Sequence, residues 1–291
     1  MTRLQATAIG FSAILMWAFL ALLSTAAGAI PPFQLTAMCF FIGTMTGVLR
    51  WMWRPSALLS LKQPWHVWLV GTFGLCIYHC LYFFAIQNAP PVEASLIAYL
   101  WPLLIVLFAA LLPGEKLHFH HVLGAGLGLA GAVVIITKGF TVGLSDGLKL
   151  GHILALACAF NWSGYSVLSR RFGDVPTDIV TGYCLITAVV ALSLHFALEQ
   201  TAWPQAALQW AAIVLLGLLP LGLGFYAWDI GIKRGDIMVL GASSYAAPLL
   251  STLVLIAGGY ASFNWTIVLA CVLITLGALI AAKNLIFVQP I

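Results

Sequence analysis

The sequence predicts an all-α polytopic membrane protein, with ten transmembrane helices arranged as two inverted five-helix repeats. Three observations carry that expectation: a composition too apolar for water, ten apolar runs of spanning length, and a self-match between the two halves of the chain.

Of the 291 residues, 63% are hydrophobic and 7% are charged, against about 25% charged in a soluble globular domain. The mean hydropathy is +1.07. So few charges cannot cover a soluble surface of this size. A soluble enzyme, a nucleic-acid binder, a disordered chain and a secreted disulfide scaffold are excluded on that ground. Lipid offers no partners to backbone N–H and C=O groups, so the spanning elements are expected to be helices.

The apolar runs lie at 6–27, 33–53, 65–87, 92–112, 121–138, 150–169, 177–198, 206–229, 236–257 and 263–286. At about 20 residues per span they consume most of the chain, and the connections left over are short. The first run follows Arg3 and ends at Ala27-Gly28-Ala29, a pattern shared with cleavable signal peptides. The repeat described below needs this run as the partner of the sixth, which argues for its retention.

With the N-terminus inside, the inner segments hold Arg3, Arg50, Arg54, Lys62, Lys116, Arg170, Arg171, Lys233, Arg234 and Lys283, while the outer ones hold Lys138 and Lys149. This asymmetry is a positive-inside signal that puts both termini in the cytoplasm. The basic residues are spread over six short segments, so they form no nucleic-acid patch. The six cysteines all fall inside apolar runs and imply no disulfide framework. His118, His120 and His121 read as a solvated loop beside lipid headgroups rather than a metal site, and no cofactor is implied.

The self-match supplies the inversion. An offset of 145 places Trp17 on Trp162, Leu23-Ser24 on Leu168-Ser169, Gly28 on Gly173, Pro31 on Pro176, Thr36 on Thr181 and Cys39 on Cys184. An offset of 146 places Gly71 on Gly217, Ile86 on Ile232, Tyr99 on Tyr245, Pro102 on Pro248 and Gly131 on Gly277. The expected organisation is a first repeat at 1–138, an outer linker at 139–149 and a second repeat at 150–291. Each copy holds five spans, an odd number, so the second must start on the opposite side of the bilayer. Two inverted copies can exchange conformations, which is the physical basis of alternating access in many carriers.

Candidate solute contacts follow from polar and aromatic residues at mid-depth. Pro102 and Pro248 sit at equivalent places inside the fourth and ninth runs. Each is expected to break its helix and to free the carbonyl four residues back, those of Ala98 and Ser244. Tyr78 and Tyr82 share a helix face, Tyr99 and Trp101 precede Pro102, and Trp162 and Tyr165 are one turn apart. Trp17, Tyr226, Trp228 and Tyr245 add further aromatics, whereas Trp51, Trp53, Trp65, Trp68, Trp203, Trp210 and Trp265 fit interfacial anchors. Glu93, His152, His195, Asp229 and Lys283 lie near run ends, which leaves His79 as the deep ionisable group. The expected substrate-binding set is Trp17, Tyr78, His79, Tyr82, Tyr99, Trp101, Trp162, Tyr165, Ser244 and Tyr245. Such a lining suits a neutral or zwitterionic solute with a large apolar part, held weakly enough to be released. A membrane-embedded enzyme would need paired acids or a nucleophile with its base at one depth, and His79 beside Cys76 and Cys80 is the nearest approach to that.

Ala85-to-Pro102 (AIQNAPPVEASLIAYLWP), Glu115, Gly124 and Gly131, with the second copy Gly231-to-Pro248 (GIKRGDIMVLGASSYAAP) and Gly277, resemble the drug/metabolite transporter superfamily and, within it, the EamA-type carriers. The match departs at Ala261, which stands where Glu115 stands in the first copy. Within that superfamily the chain is similar to bacterial exporters of aromatic amino acids. The resemblance implies export of an aromatic amino acid across the inner membrane through a cavity between the repeats, with a small-molecule substrate and the lipid bilayer as partners. A drug or another small metabolite is the alternative cargo. Oligomeric state and the coupling ion stay open at this level.

Overall fold

The computed structural model describes residues 1–137, 139–140, 149–259 and 262–283, without the side chains of residues 91, 92 and 135. Lys138, Ala261, linker residues 141–148 and the C-terminal residues 284–291 lie outside the described residues. All regular structure among the described residues is helical.

Ten consecutive rods follow the apolar runs: α1 (Arg3–Ala26), α2 (Pro32–Trp53), α3 (Trp65–Asn88), α4 (Pro91–Ala98 and Trp101–Ala109), α5 (Phe119–Ile136), α6 (Leu150–Arg170), α7 (Thr177–Leu198), α8 (Ala207–Arg234), α9 (Ile237–Ser243 and Ala246–Ala257) and α10 (Trp265–Ala281). Among the described residues, α1, α2, α3, α7 and α8 are long and apolar enough to cross a membrane by themselves. The two halves of α9, bent by 41°, make a sixth if they count as one span. The rods start where capping chemistry permits. Thr2 and Gln5 form a reciprocal capping box on α1, and Asp236 and Asn264 take the exposed backbone N–H groups of Val239 and Ile267.

Packing follows the internal repeat. α1 lies against α8, and their equivalents α6 and α3 lie against each other; α2 pairs with its counterpart α7, and α5 with its counterpart α10. Small residues set the closest approaches. A β-carbon at Gly10 would stand 2.8 Å from Gly231 Cα, and one at Gly124 would stand 2.5 Å from the Gly277 carbonyl. In the second copy of the first contact, Ala155 and Ala85 are buried together.

One end of the molecule reports the chain direction. Arg3 opens α1 and Arg170 closes α6, yet both pair with Glu115 in the connection from α4 to α5. Equivalent helices therefore run antiparallel, and the two halves are inverted. Arg3 also reaches Asp236 at 3.0 Å, and Arg170 donates to the Ile232 and Gly235 carbonyls at 2.8 Å each. Beside them Arg50 pairs with Asp178 at 2.8 Å, and Lys233 with Asp229 at 2.9 Å. At the other end Glu199 accepts the Phe33 and Gln34 backbone N–H groups at 2.9 and 3.1 Å, capping α2. There too His152 pairs with Glu93 at 2.7 Å. Glu93 and Asp229, both near run ends in the sequence, are thus buried against His152 and Lys233 rather than solvated.

Candidate functional site

Two local departures from α-geometry shape the centre. The first is the break in α4 and α9. The helix stops at Tyr99-Leu100 and restarts at Trp101, so Pro102 falls in a first turn, where its missing N–H costs nothing. The equivalent break is at Ser244-Tyr245. The Ser244 carbonyl, expected to be free for a solute, accepts the Ala247 N–H at 3.0 Å, because the restart closes with a tight turn. The second departure is a wide π-turn in α3 at Phe73–Ile77, repeated in α8 at Leu219–Leu223.

Between the two halves lies a cavity of about 530 Å³, a size suited to a small-molecule ligand. Of the residues expected there, Trp17, Tyr78, His79, Tyr82, Tyr99, Trp101 and Trp162 line it. At its base Trp17, Trp101, Trp162 and Trp228 form a cluster in which every pair of ring centres lies 5.2–6.4 Å apart. Edge-to-face and tilted contacts dominate, the arrangement favoured by ring quadrupoles. Trp228 is fully buried, and its indole N–H is held by Ser166 Oγ at 3.1 Å. On α3, Tyr78 and Tyr82 stack with centres 6.2 Å apart and planes 2° apart, as their spacing predicts.

His79 stands among the rings of Phe40, Tyr78, Phe83 and Phe225. Its Nδ1 lies 2.7 Å from the Leu75 carbonyl, so that nitrogen carries the proton and the other, in the neutral ring, is an acceptor. Among the described residues no Asp, Glu, Lys or Arg lines the cavity. From the base it extends to the α1–α2 turn, where Ser24, Gly28, Ile30 and Pro32 contribute, at the end away from Arg3.

Three expected residues lie elsewhere. Tyr165 packs on Trp162 but lines a separate crevice between α3 and α6, and its buried hydroxyl meets no partner among the described residues. The Ser244 hydroxyl turns back onto the Leu240 carbonyl at 2.7 Å. Tyr245 is fully buried, and its hydroxyl receives the Leu103 N–H at 3.2 Å, an N–H left without a partner by the α4 restart. Conversely, Phe225, Leu221, Phe83, Ser24, Thr36 and Ser251 line the cavity without having been singled out. The repeat carried a signal for one of them: the offset of 146 places His79, an expected residue, on Phe225.

Inverted bundles of apolar helices around a ring-lined hollow define a membrane carrier, and this chain belongs to the EamA-like transporter family, whose model matches residues 5–137 and again 149–282. It is 50% identical over 282 residues to the aromatic amino acid exporter YddG of Ancylobacter novellus, a match covering 97% of this chain and 98% of that one. The exporters of the same name from Salmonella typhimurium and Escherichia coli are 27% and 26% identical, each match covering 87% of this chain and 88% of theirs. A solved crystal structure superposes with a TM-score of 0.90 at 49% identity, covering 97% of this chain and 99% of the other.

Proposed function

We propose that this chain exports aromatic amino acids across a bacterial inner membrane by alternating access. All ten rods span in this reading. Residues 1–138 and 150–291 are the two repeats, 139–149 is an outer linker, and both termini are cytoplasmic, as the basic residues require. The end carrying Arg3, Glu115 and Arg170 then faces the cytoplasm and is closed, while the cavity reaches toward the outside.

The observation that carries the reading is the tryptophan-and-tyrosine lining, which among the described residues holds no Asp, Glu, Lys or Arg. Burying an aromatic ring of ~150–250 Å² contributes about 4–6 kcal/mol. Ordering the ligand offsets much of that, which suits a carrier that must let go. The His79 acceptor offers a place to the substrate ammonium. The names of the relatives agree with this choice of cargo.

Radiolabelled tryptophan efflux from proteoliposomes tests it. Trp101→Ala and Tyr82→Ala should each lower the flux about tenfold or more at unchanged expression, as expected for about 1.4 kcal/mol or more of lost ring contact. Wild-type flux in both variants would refute the assignment of the cavity as the binding site.

A further inference from the structure

We infer that the indole N–H groups of Trp17 and Trp162 act as an exchanging pair: one is tied to a π-turn carbonyl, the other is free in the cavity to take the substrate carboxylate, and they trade places when the cavity changes sides. This deepens, and rests on, the exporter reading above.

The argument begins with the two π-turns. They are equivalent under the offset of 146 that puts Phe73 on Leu219 and Gly74 on Pro220. A π-turn displaces carbonyls from their usual helical donors, and here side chains from the opposite repeat supply donors. Trp17 Nε1 donates to the Pro220 carbonyl at 3.1 Å. The equivalent bond would run from Trp162 Nε1 to the Gly74 carbonyl, and it is not made. Asn161 Nδ2 holds that carbonyl at 3.1 Å and the Phe73 carbonyl at 3.2 Å. Trp162 lines the cavity, and its indole N–H donates to no group among the described residues.

One tryptophan of the pair is therefore engaged and the other is not, at ring centres 5.8 Å apart. An indole N–H only donates, so the free one suits a carboxylate and not an ammonium. When inverted repeats exchange conformations, Trp162 takes the Gly74 carbonyl and Trp17 is released to face the other side. The exchange is uneven. The residue equivalent to Asn161 is Met16, which has no donor, so the turn at Leu219–Leu223 depends on Trp17. That imbalance favours the state seen here.

The test compares Trp17→Phe, Trp162→Phe and Asn161→Leu in the full-length protein in lipid nanodiscs. Ligands are tryptophan and tryptamine, which share the ring and the ammonium but not the carboxylate. A cysteine at Ser24, probed with an impermeant maleimide, reports the open mouth. Trp162→Phe should weaken tryptophan on the order of tenfold, the scale of one hydrogen bond to a charged group, and change tryptamine by less than about twofold. Asn161→Leu, which frees the Gly74 carbonyl to capture Trp162, should discriminate in the same direction and serves if Trp162→Phe fails to fold. Trp17→Phe should slow Ser24→Cys labelling, and Trp162→Phe should keep it or speed it. Equal weakening of both ligands in Trp162→Phe and Asn161→Leu, or labelling shifts of the same sign in the two tryptophan variants, would overturn the pair. If the wild type binds neither ligand, the exporter reading fails, while opposite labelling shifts would still uphold the exchange and same-sign shifts would still overturn it.

Discussion

The two ends of this molecule are assembled from equivalent helices in swapped roles, yet they are held in different ways. At the Arg3 end, loops from both repeats converge on Glu115, Arg170 and Asp236, and charge joins one half to the other. At the opposite end Glu199 caps the start of α2, the Glu93–His152 contact joins the halves, and the cavity mouth is formed by Ser24, Gly28, Ile30 and Pro32. The comparison shows how a nearly symmetric fold is biased to one state. The pairing residues occupy positions whose counterparts do not match them: Glu115 is matched by Ala261, Asp236 by Pro90 and Arg170 by Thr25. The network therefore cannot be rebuilt at the other end, and opening the Arg3 end has an ionic cost that opening the mouth does not.

Removing Arg170 should break this comparison most strongly. Arg170→Ala strips the Glu115 pair and two carbonyl contacts from a largely buried site. The expected loss is about 2–4 kcal/mol, visible as a lower unfolding midpoint in detergent. The maleimide reactivity of a cysteine introduced at the Arg3 end should rise with it. If reactivity stays at the wild-type level, charge is not what closes that end.

At the other end, Glu199→Gln keeps the shape but turns one of the two accepting oxygens into a donor, so one of the two N–H bonds that cap α2 is lost and the other loses its charge assistance. A cost of about 1–2 kcal/mol is expected, without any change in accessibility at the Arg3 end. A shift in that accessibility would mean the two ends are coupled through α2 and α7. The smallest effect belongs to Arg3→Gln. Arg3 is half exposed, so its loss should cost under about 1 kcal/mol. Its contribution should already vanish in the wild type at about 1 M salt, where screening is nearly complete. A larger penalty would place Arg3 beside Arg170 as a principal tie.

Much of the candidate cavity lining was legible because helix periodicity and the repeat are local properties of the chain. The spacing of Tyr78 and Tyr82 is enough to stack them, and the depth of Trp17, Trp101 and Trp162 in their runs is enough to bring them near the centre. Tyr99 and Tyr245 mark where that reasoning stops. They are equivalent in sequence, yet Tyr99 faces the cavity while Tyr245 is buried with its hydroxyl on the Leu103 N–H. Symmetry in the chain does not survive in a bundle open at one end, because equivalent residues then sit in different surroundings. Ser244 went the same way: a hydroxyl one turn above a carbonyl closes on its own helix unless a neighbour competes.

From sequence alone come the membrane as solvent, the helical class, the inverted duplication and the aromatic, weakly charged character of the mid-depth residues. Each depends on composition or on a periodic pattern, and neither changes when the chain folds. Which member of an equivalent pair faces the hollow, which carbonyl a π-turn exposes and which tryptophan fills it, and which charges close which end were decided only by the folded bundle. Those depend on contacts between residues some 50 to 230 positions apart, such as Trp17 with Pro220 or Arg170 with Glu115, and no local pattern encodes a choice that packing makes between two nearly equivalent halves.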